Sequence, residues 1–227
     1  MCTILVRWTP AAAHPFVVAA NRDEFRDRIA DDPLAIAPGV FAGRDRTAGG
    51  TWLAVSRAGL AALTNVRTGP RDPAAPTRGT LPLAALAGRL PDDLAAYNAF
   101  NLVVIDRDGA RVVTHEGPGT PVRMTTLAPG DHVVDNEAFG RPSPRIARAT
   151  TLLASAAPDF ALLGDHGIAG DGTDGLCHHG EIYGTVSATV VALDRDVRVV
   201  RYEHVNGPPC RGVPVDLTAG ALAVSGA

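Results

Sequence analysis

The chain has 227 residues, of which 46% are hydrophobic and 20% are charged, which excludes a chain that is disordered throughout. The formal net charge is −3, all 21 basic residues are arginine and no basic run appears, so a nucleic acid is not expected as a partner. Three cysteines, Cys2, Cys177 and Cys210, are too few and odd in number for a disulfide framework.

Strands dominate the first half of the predicted structure. Apolar and β-branched residues predict strands at 2–8 and 16–20, joined by a turn at 11–15 into a hairpin. Two further short strands are predicted at 51–56 and 60–64. The Pro- and Arg-rich residues 66–79 then predict a surface loop.

The second half adds helices to hairpin-linked strands. Helical periodicity at 80–97 is broken by Pro82 and Pro91, and Ser143 caps the clearest predicted helix, at 143–156. Strands are predicted at 100–106, 110–115, 122–126, 132–135, 185–194 and 197–205. A mobile loop is predicted at 164–175 and a weakly structured tail from Pro208. The pattern predicts an α+β fold with antiparallel sheets in one domain spanning 1–227.

No signal peptide and no run of about 18 apolar residues is visible. We therefore expect a cytoplasmic protein without stable membrane insertion. The sequence does not indicate an oligomeric state.

Cys2 is a candidate N-terminal nucleophile, because an aminopeptidase removes an initiator methionine when the second residue is small. Loss of Met1 would give Cys2 a free α-amine beside its thiol. The reference pKa values are about 8.5 for the thiol and about 7.7–8.0 for the amine, so the amine can take the thiol proton near neutral pH. Taken alone, however, a cysteine at this position is more often a small apolar strand residue.

Polar residues stand at the ends of three predicted strands. Residues 21–24 follow the strand expected to pair with that of Cys2, and Asn65 and Asn136 each end another strand. A cysteine nucleophile needs oxyanion donors, which asparagines supply, and a nearby cation that lowers the thiol pKa. An asparagine at a strand end also caps turns, so only the whole set favours a site.

Several sequence blocks together match one known family. They include Met1-Cys2-Thr3, the quartet Asn21-Arg22-Asp23-Glu24, and Gly49-Gly50-Thr51-Trp52. The others are Ala42-Gly43-Arg44-Asp45, Leu63-Thr64-Asn65, Asn98-Ala99-Phe100-Asn101, Asp135-Asn136 and Tyr183-Gly184-Thr185. With these blocks the chain resembles the NRDE family, also called the Transport and Golgi organisation protein 2 family.

The resemblance has implications for fold and site, because this family looks like a relative of N-terminal-nucleophile (Ntn) hydrolases that cleave penicillin V and bile-salt amides. It implies an αββα sandwich with two mostly antiparallel sheets. The catalytic residues that it implies are Cys2, Arg22, Asp23, Asn65 and Asn136. The substrate-binding residues that it implies are Asn21, Glu24, Trp52 and Tyr183.

Two departures from the relatives matter for the site. Arg22 and Asp23 are adjacent here but three apart in the acylases, so Glu24 is an alternative for the acidic role. Many NRDE proteins have an arginine where this chain has Val186. The missing charge favours a different ligand or a site that no longer turns over.

The run Cys177-His178-His179 offers three residues of types that bind metal ions. Neighbouring strand residues point to opposite faces, so only two of the three could share an ion, and no second cluster supplies the rest. No metal and no cofactor is therefore predicted. Haem remains a possible ligand through one histidine, because relatives of the family are linked to haem trafficking. The acidic run 171–175 lacks the spacing of a calcium loop.

Two functions from different classes follow. The first is a hydrolase or acyltransferase that acts on a small-molecule amide or (thio)ester through an acyl-Cys2 intermediate. The alternative is a non-catalytic carrier of haem or an acyl lipid on the same fold.

Overall fold

The structure, a computed structural model, describes residues 2–169 and 172–225. In this part of the chain, two antiparallel sheets are accompanied by short helices. The strands are β1 (Thr3–Trp8), β2 (Phe16–Phe25), β3 (Ala30–Ala37), β4 (Val40–Asp45), β5 (Leu53–Ser56), β6 (Gly59–Asn65), β7 (Phe100–Asp106), β8 (Gly109–His115), β9 (Arg123–Thr126), β10 (Gly130–Val134), β11 (Tyr183–Leu193), β12 (Val199–Asn206) and β13 (Val215–Asp216). The helices are α1 (Leu81–Leu86), α2 (Pro144–Leu153), α3 (Phe160–Leu163) and α4 (Thr218–Ser225), with 3₁₀ turns at Arg78–Thr80 and Leu94–Ala96.

The two sheets differ in how the chain builds them. The first sheet has the strand order β10-β1-β2-β11-β12-β13, so it joins segments that are far apart in sequence. The second sheet runs from β3 to β9 in sequence order, because each strand turns back beside its predecessor. The predicted α+β fold with two antiparallel sheets is confirmed.

Successive side chains of a strand point to opposite faces of its sheet, so each sheet packs against a different neighbour on each face. Ile4, Val18 and Val191 of the first sheet pack against Leu60 and Val103 of the second to form the central core. On its other face, the first sheet packs against α2 and α3. The second sheet packs its outer face against α1. The order of layers is therefore helix, sheet, sheet, helix.

Several predicted elements are confirmed. Residues of β1 and β2 pair from Thr3 with Asn21 to Trp8 with Phe16, as the expected hairpin requires. Helix α2 begins after Ser143, whose Oγ accepts a hydrogen bond from the backbone N–H of Ile146. Strands β11 and β12 form the last predicted hairpin.

Other predictions differ from the structure. Strand β2 continues through the 21–24 quartet to Phe25, because β11 pairs with it as far as Tyr183. The predicted tail contains β13 and helix α4, and Ala221 of that helix is buried in the central core. The predicted mobile loop at 164–175 and the acidic run 171–175 lie partly outside the described residues. No helix in the described ranges is both long and apolar enough to cross a membrane.

Candidate active site

A cavity of about 500 Å³ opens at the end of the sandwich where β1 begins and β6 ends. The loop at 66–79 forms one wall of this cavity. The polar and aromatic lining residues that matter below are Cys2, Arg22, Asp23, Glu24, Arg28, Asp45, Trp52, Asn65, Arg67, Arg71, Arg78, Asn136 and Tyr183. The cavity is therefore lined mainly by polar side chains from both sheets.

Cys2 lies in this lining, and the residue as a whole is partly exposed. Its Sγ lies 3.8 Å from the backbone oxygen of Asp23, which also accepts a hydrogen bond of 2.8 Å from the hydroxyl of Tyr183. Burial raises the pKa of the Cys2 thiol, and the carboxylates of Asp23 and Glu24 raise it further. A base is therefore needed to generate the thiolate near neutral pH.

The carboxylate of Asp23 is fully buried beside a second set of groups. Its Oδ1 accepts a hydrogen bond of 2.7 Å from the Thr185 hydroxyl. Its Oδ2 lies 3.9 Å from a guanidinium nitrogen of Arg145 and 3.9 Å from Nε2 of His178. Burial raises the pKa of Asp23, while the Thr185 hydrogen bond and the Arg145 charge oppose that rise. Arg145 also contacts His178 directly.

Arg22 is a buried cation stacked on an aromatic ring. Its guanidinium carbon lies 4.5 Å from the ring centroid of Trp52, and its Nη2 has no hydrogen-bond partner among the described residues. A Cβ on Gly43 would lie 2.5 Å from the Trp52 ring, so only glycine leaves room for the indole. Burial lowers the pKa of Arg22, and the charge of Glu24 opposes that shift.

A hydrogen bond from a side chain to the backbone joins the two predicted oxyanion asparagines. The Asn136 side-chain amide donates a hydrogen bond of 2.5 Å to the carbonyl of Asn65, and the N–H of Arg67 donates one of 2.9 Å to the carbonyl of Asn136. An amide nitrogen carries two hydrogens, so Asn136 keeps a second donor. Both asparagines line the same cavity as Cys2.

A buried asparagine outside the cavity holds this arrangement. The amide of Asn101 donates to the carbonyl of Glu137 at 2.8 Å, and its oxygen accepts from the N–H of Phe139 at 3.0 Å and the hydroxyl of Thr114 at 3.1 Å. These bonds fix the segment that carries Asn136. Asn101 is therefore a positioning residue for Asn136.

The cavity has more cationic than acidic lining residues. Five arginines stand against three carboxylates in its lining. Arg28 is paired with Asp45 at 2.6 Å. Arg78 donates to the carbonyl of Ala99 at 2.8 Å, and its pKa falls to about 10 because of burial and the nearby charge of Arg71. The arginine-rich wall favours an anionic ligand.

The structure brings eight of the nine predicted site residues to this cavity. They are Cys2, Arg22, Asp23, Glu24, Trp52, Asn65, Asn136 and Tyr183. Asn21 is the exception. Its amide donates to the carbonyls of Leu163 at 2.9 Å and Leu176 at 2.8 Å, on the outer side of the first sheet.

Val186, the position of the missing arginine, lies elsewhere. It stands at a β-bulge of β11, between Thr185, which pairs with Asp23, and Ser187, which pairs with Arg22. Its side chain lines a smaller neighbouring groove and not the main cavity. In this chain the side chain at position 186 is therefore not part of the wall around Cys2.

A cluster of possible metal ligands also forms on the outer side of the first sheet. Cys177 and His179 point the same way while His178 faces Asp23, so the prediction that only two of these three could share an ion agrees with the geometry. The prediction that no other residues complete the set is wrong, because His166 and Cys210 converge on the same point. His166 and Cys210 lie in separate loops, far along the chain from each other, so no local sequence pattern links them to Cys177 and His179.

Sequence reasoning also missed residues that act around Asp23 and the cavity wall. Thr185 lies inside one of the family blocks without a distinguishing signal, and Arg145 lies within the predicted helix at 143–156. Arg145 lies in the first turn of α2 and is only 2% exposed, which is unusual for a charged residue. The sequence signal that points to Arg145 is the position of a charged residue on the apolar face of the predicted helix.

Comparison with known protein families identifies the same family that the sequence blocks resemble. A search of curated proteins gave no match. Residues 1–165 match the family described as Transport and Golgi organisation 2, a stretch that includes Cys2, Arg22, Asp23, Asn65 and Asn136. Since the match covers well over half of the 227 residues, the chain belongs to the Transport and Golgi organisation 2 family.

Proposed function

We propose that this protein is an N-terminal-cysteine hydrolase or acyltransferase that acts on a small-molecule amide or thioester through an acyl-Cys2 intermediate. The observation that carries the proposal is the position of the Cys2 thiol in a cavity shared with Asn65, Asn136 and Arg22. This combination supplies a nucleophile, amide donors and a cation in one place.

The first half of the reaction forms the acyl-enzyme. Processing frees the α-amine of Cys2, which takes the thiol proton, and the thiolate attacks the substrate carbonyl. Amide N–H groups of Asn65 and Asn136 donate to the oxyanion, each worth about 10²–10³ in rate. The carbon–nitrogen or carbon–sulfur bond then breaks, and the α-ammonium returns its proton to the leaving group. Asp23 holds the ammonium group in place.

The second half releases the acyl group. A water molecule gives up a proton to the α-amine and attacks the acyl-Cys2 carbonyl. The thioester breaks, the carboxylic acid leaves and Cys2 regains its proton. If an amine attacks in place of water, the same steps give a new amide, which distinguishes an acyltransferase from a hydrolase.

The cavity wall also favours a substrate with an anionic group. Arg67 and Arg71 are exposed lining residues, and Arg22 keeps a buried nitrogen without a described partner. A carboxylate or phosphate placed here would gain charge-assisted hydrogen bonds, each worth about 1.5–3 kcal/mol.

The carrier alternative uses the same cavity but has weaker support. Among the described lining residues there is no histidine that could ligate a haem iron, and Val186, whose missing charge suggested a changed ligand, lies outside the lining. The arginines could nevertheless bind the carboxylates of haem or the phosphates of an acyl carrier by donating hydrogen bonds to them. Saturable haem binding with no turnover of any amide would favour this alternative.

Turnover of two matched anilides tests the proposal. Glutaryl-p-nitroanilide and pentanoyl-p-nitroanilide have the same chain length and differ by one terminal carboxylate. We expect release of p-nitroaniline with about tenfold higher kcat/KM for the glutaryl compound, the factor that about 1.4 kcal/mol gives. Cys2→Ala should abolish release, whereas Asn206→Ala, which removes an exposed asparagine outside the main cavity, should leave it unchanged. Equal release by wild type and Cys2→Ala would rule the mechanism out.

A further inference from the structure

We propose that His166, Cys177, His179 and Cys210 form a structural zinc site, separate from the Cys2 cavity. Each residue offers one ligand atom, and all four atoms lie within 4.8 Å of one another. None of the four residues lines the cavity around Cys2. The site therefore goes beyond the proposed hydrolase chemistry and does not depend on it.

The distances between ligand atoms fit a tetrahedral zinc ion. Zinc–sulfur bonds of about 2.3 Å and zinc–nitrogen bonds of about 2.0–2.1 Å require tetrahedron edges of about 3.8 Å between sulfurs and about 3.3 Å between nitrogens. The two sulfurs, of Cys177 and Cys210, lie 3.7 Å apart. The Nε2 atoms of His166 and His179 lie 3.1 Å apart.

Two of the four sulfur–nitrogen edges, both from His179, lie near the value expected for the same geometry, and no two ligand atoms are more than 4.8 Å apart. A sulfur–nitrogen edge should measure about 3.5 Å for bonds of those lengths. Nε2 of His179 lies 3.6 Å from the Cys177 sulfur and 3.1 Å from the Cys210 sulfur. Thiolate and imidazole ligands select zinc over magnesium or calcium, which prefer oxygen. A disulfide bond between Cys177 and Cys210 would place the two sulfurs about 2.05 Å apart, whereas they lie 3.7 Å apart.

Backbone contacts hold the ligand-bearing segments next to one another without a bound ion. The N–H groups of Leu176 and Cys177 both donate to the carbonyl of Asp165, at 2.9 Å each, which ties the Cys177 segment to the residue before His166. A Cβ on Gly164 would lie 3.3 Å from the backbone of Cys210, so the third segment packs closely on the first. The fold itself therefore brings the ligand-bearing segments together.

The family's quartet contributes to this arrangement. The Asn21 amide donates hydrogen bonds to the carbonyls of Leu163, which precedes the His166 segment, and Leu176, which directly precedes Cys177. Asn21 is 2% exposed and its amide has no contact with the Cys2 cavity. This contact explains why an asparagine suits position 21 and links the central strand β2 to the proposed zinc site.

Four protein ligands leave no open position, so the ion is structural. Its effect on the other site passes through His178, which lies between two ligands in sequence and contacts Arg145 beside Asp23. A bound ion would fix the backbone on both sides of His178. Zinc would thereby hold the surroundings of Asp23 in place without touching a substrate.

Metal content of the full-length protein tests the site. The protein is purified without chelator, added metal or a histidine tag and analysed by elemental mass spectrometry. We expect about one zinc per chain in wild type and less than a tenth of that in Cys177→Ser and in Cys210→Ser. The matched controls Cys2→Ser and His14→Ala remove a cysteine and an exposed histidine outside the cluster and should keep the zinc.

A second measurement avoids dependence on variants that fail to fold. Wild type is stripped of metal under reducing conditions and titrated with Co²⁺. We expect thiolate-to-cobalt charge transfer and the intense visible bands of a tetrahedral site, saturating at about one equivalent and lost on addition of zinc. Three results would each overturn the proposal: purified wild type without zinc and with only a pale octahedral cobalt spectrum, zinc retained in both serine variants, or a Cys177–Cys210 disulfide in the purified protein.

Discussion

Replacement of Asn101 by alanine tests how the structure positions Asn136. Asn101 is fully buried, and its amide bonds the carbonyl of Glu137 and the N–H of Phe139. Both groups belong to the segment that carries Asn136 into the cavity. The alanine variant leaves these two backbone groups and the buried Thr114 hydroxyl without the Asn101 partner and keeps the surrounding apolar core.

The expected cost follows from those three groups. An orphaned buried polar group costs about 1–3 kcal/mol, so the three would cost about 3–9 kcal/mol in a dry site. Glu137 and Phe139 are only partly buried, which lets water replace some of the lost bonds. We therefore expect Asn101→Ala to lower the free energy of unfolding by about 3 kcal/mol.

Urea unfolding followed by circular dichroism and tryptophan fluorescence measures this loss. Asn206→Ala is the matched control, because that asparagine is exposed and should change stability by no more than about 0.5 kcal/mol. The same samples should show lower amide turnover for Asn101→Ala, since Asn136 loses its support. A loss of stability no larger than that of the control would refute this account of Asn101.

Three further changes test separate parts of the structure. Asn136→Ala should lower kcat for p-nitroanilide release by about 10²–10³ with little change in KM, and an unchanged kcat would exclude Asn136 as an oxyanion donor. Gly43→Ala puts a Cβ 2.5 Å from the Trp52 ring, so we expect shifted tryptophan fluorescence and a loss of about 1–3 kcal/mol in unfolding experiments; an unshifted spectrum would contradict the close packing. Ser143→Ala removes the N-cap of α2 and the hydrogen bond to Asp135, and should cost about 1 kcal/mol in thermal unfolding, where an unchanged Tm would be the opposing result.

The sequence predicts much of the fold because its local signals agree with the final packing. The β1–β2 hairpin follows from two apolar runs around a turn, and helix α2 follows from Ser143 and Pro144 before an apolar face. Strand β3 escapes detection because Asp31, Asp32 and Pro33 are unfavourable in strands. It forms at the edge of the second sheet, where only β4 pairs with it.

The residues around Cys2 are predictable in part for the same reason. Asn65 ends its strand, and Asn136 closely follows β10, so polar side chains mark the sheet ends. The groups around Asp23 are harder to find, because Thr185, His178 and Arg145 reach it from three separate segments. The His166 and Cys210 ligands likewise meet only after the sheets have formed. Such contacts depend on tertiary packing and leave no local pattern.

In the proposed mechanism, Cys2 with a free α-amine is the nucleophile. Intact-mass and peptide analysis of the protein during turnover of glutaryl-p-nitroanilide tests it most directly. We expect a chain that begins at Cys2 and a glutaryl adduct on that residue, which forms and decays with the release of product. Turnover by protein that keeps a residue before Cys2, or an adduct on another residue with Cys2 unmodified, would contradict it.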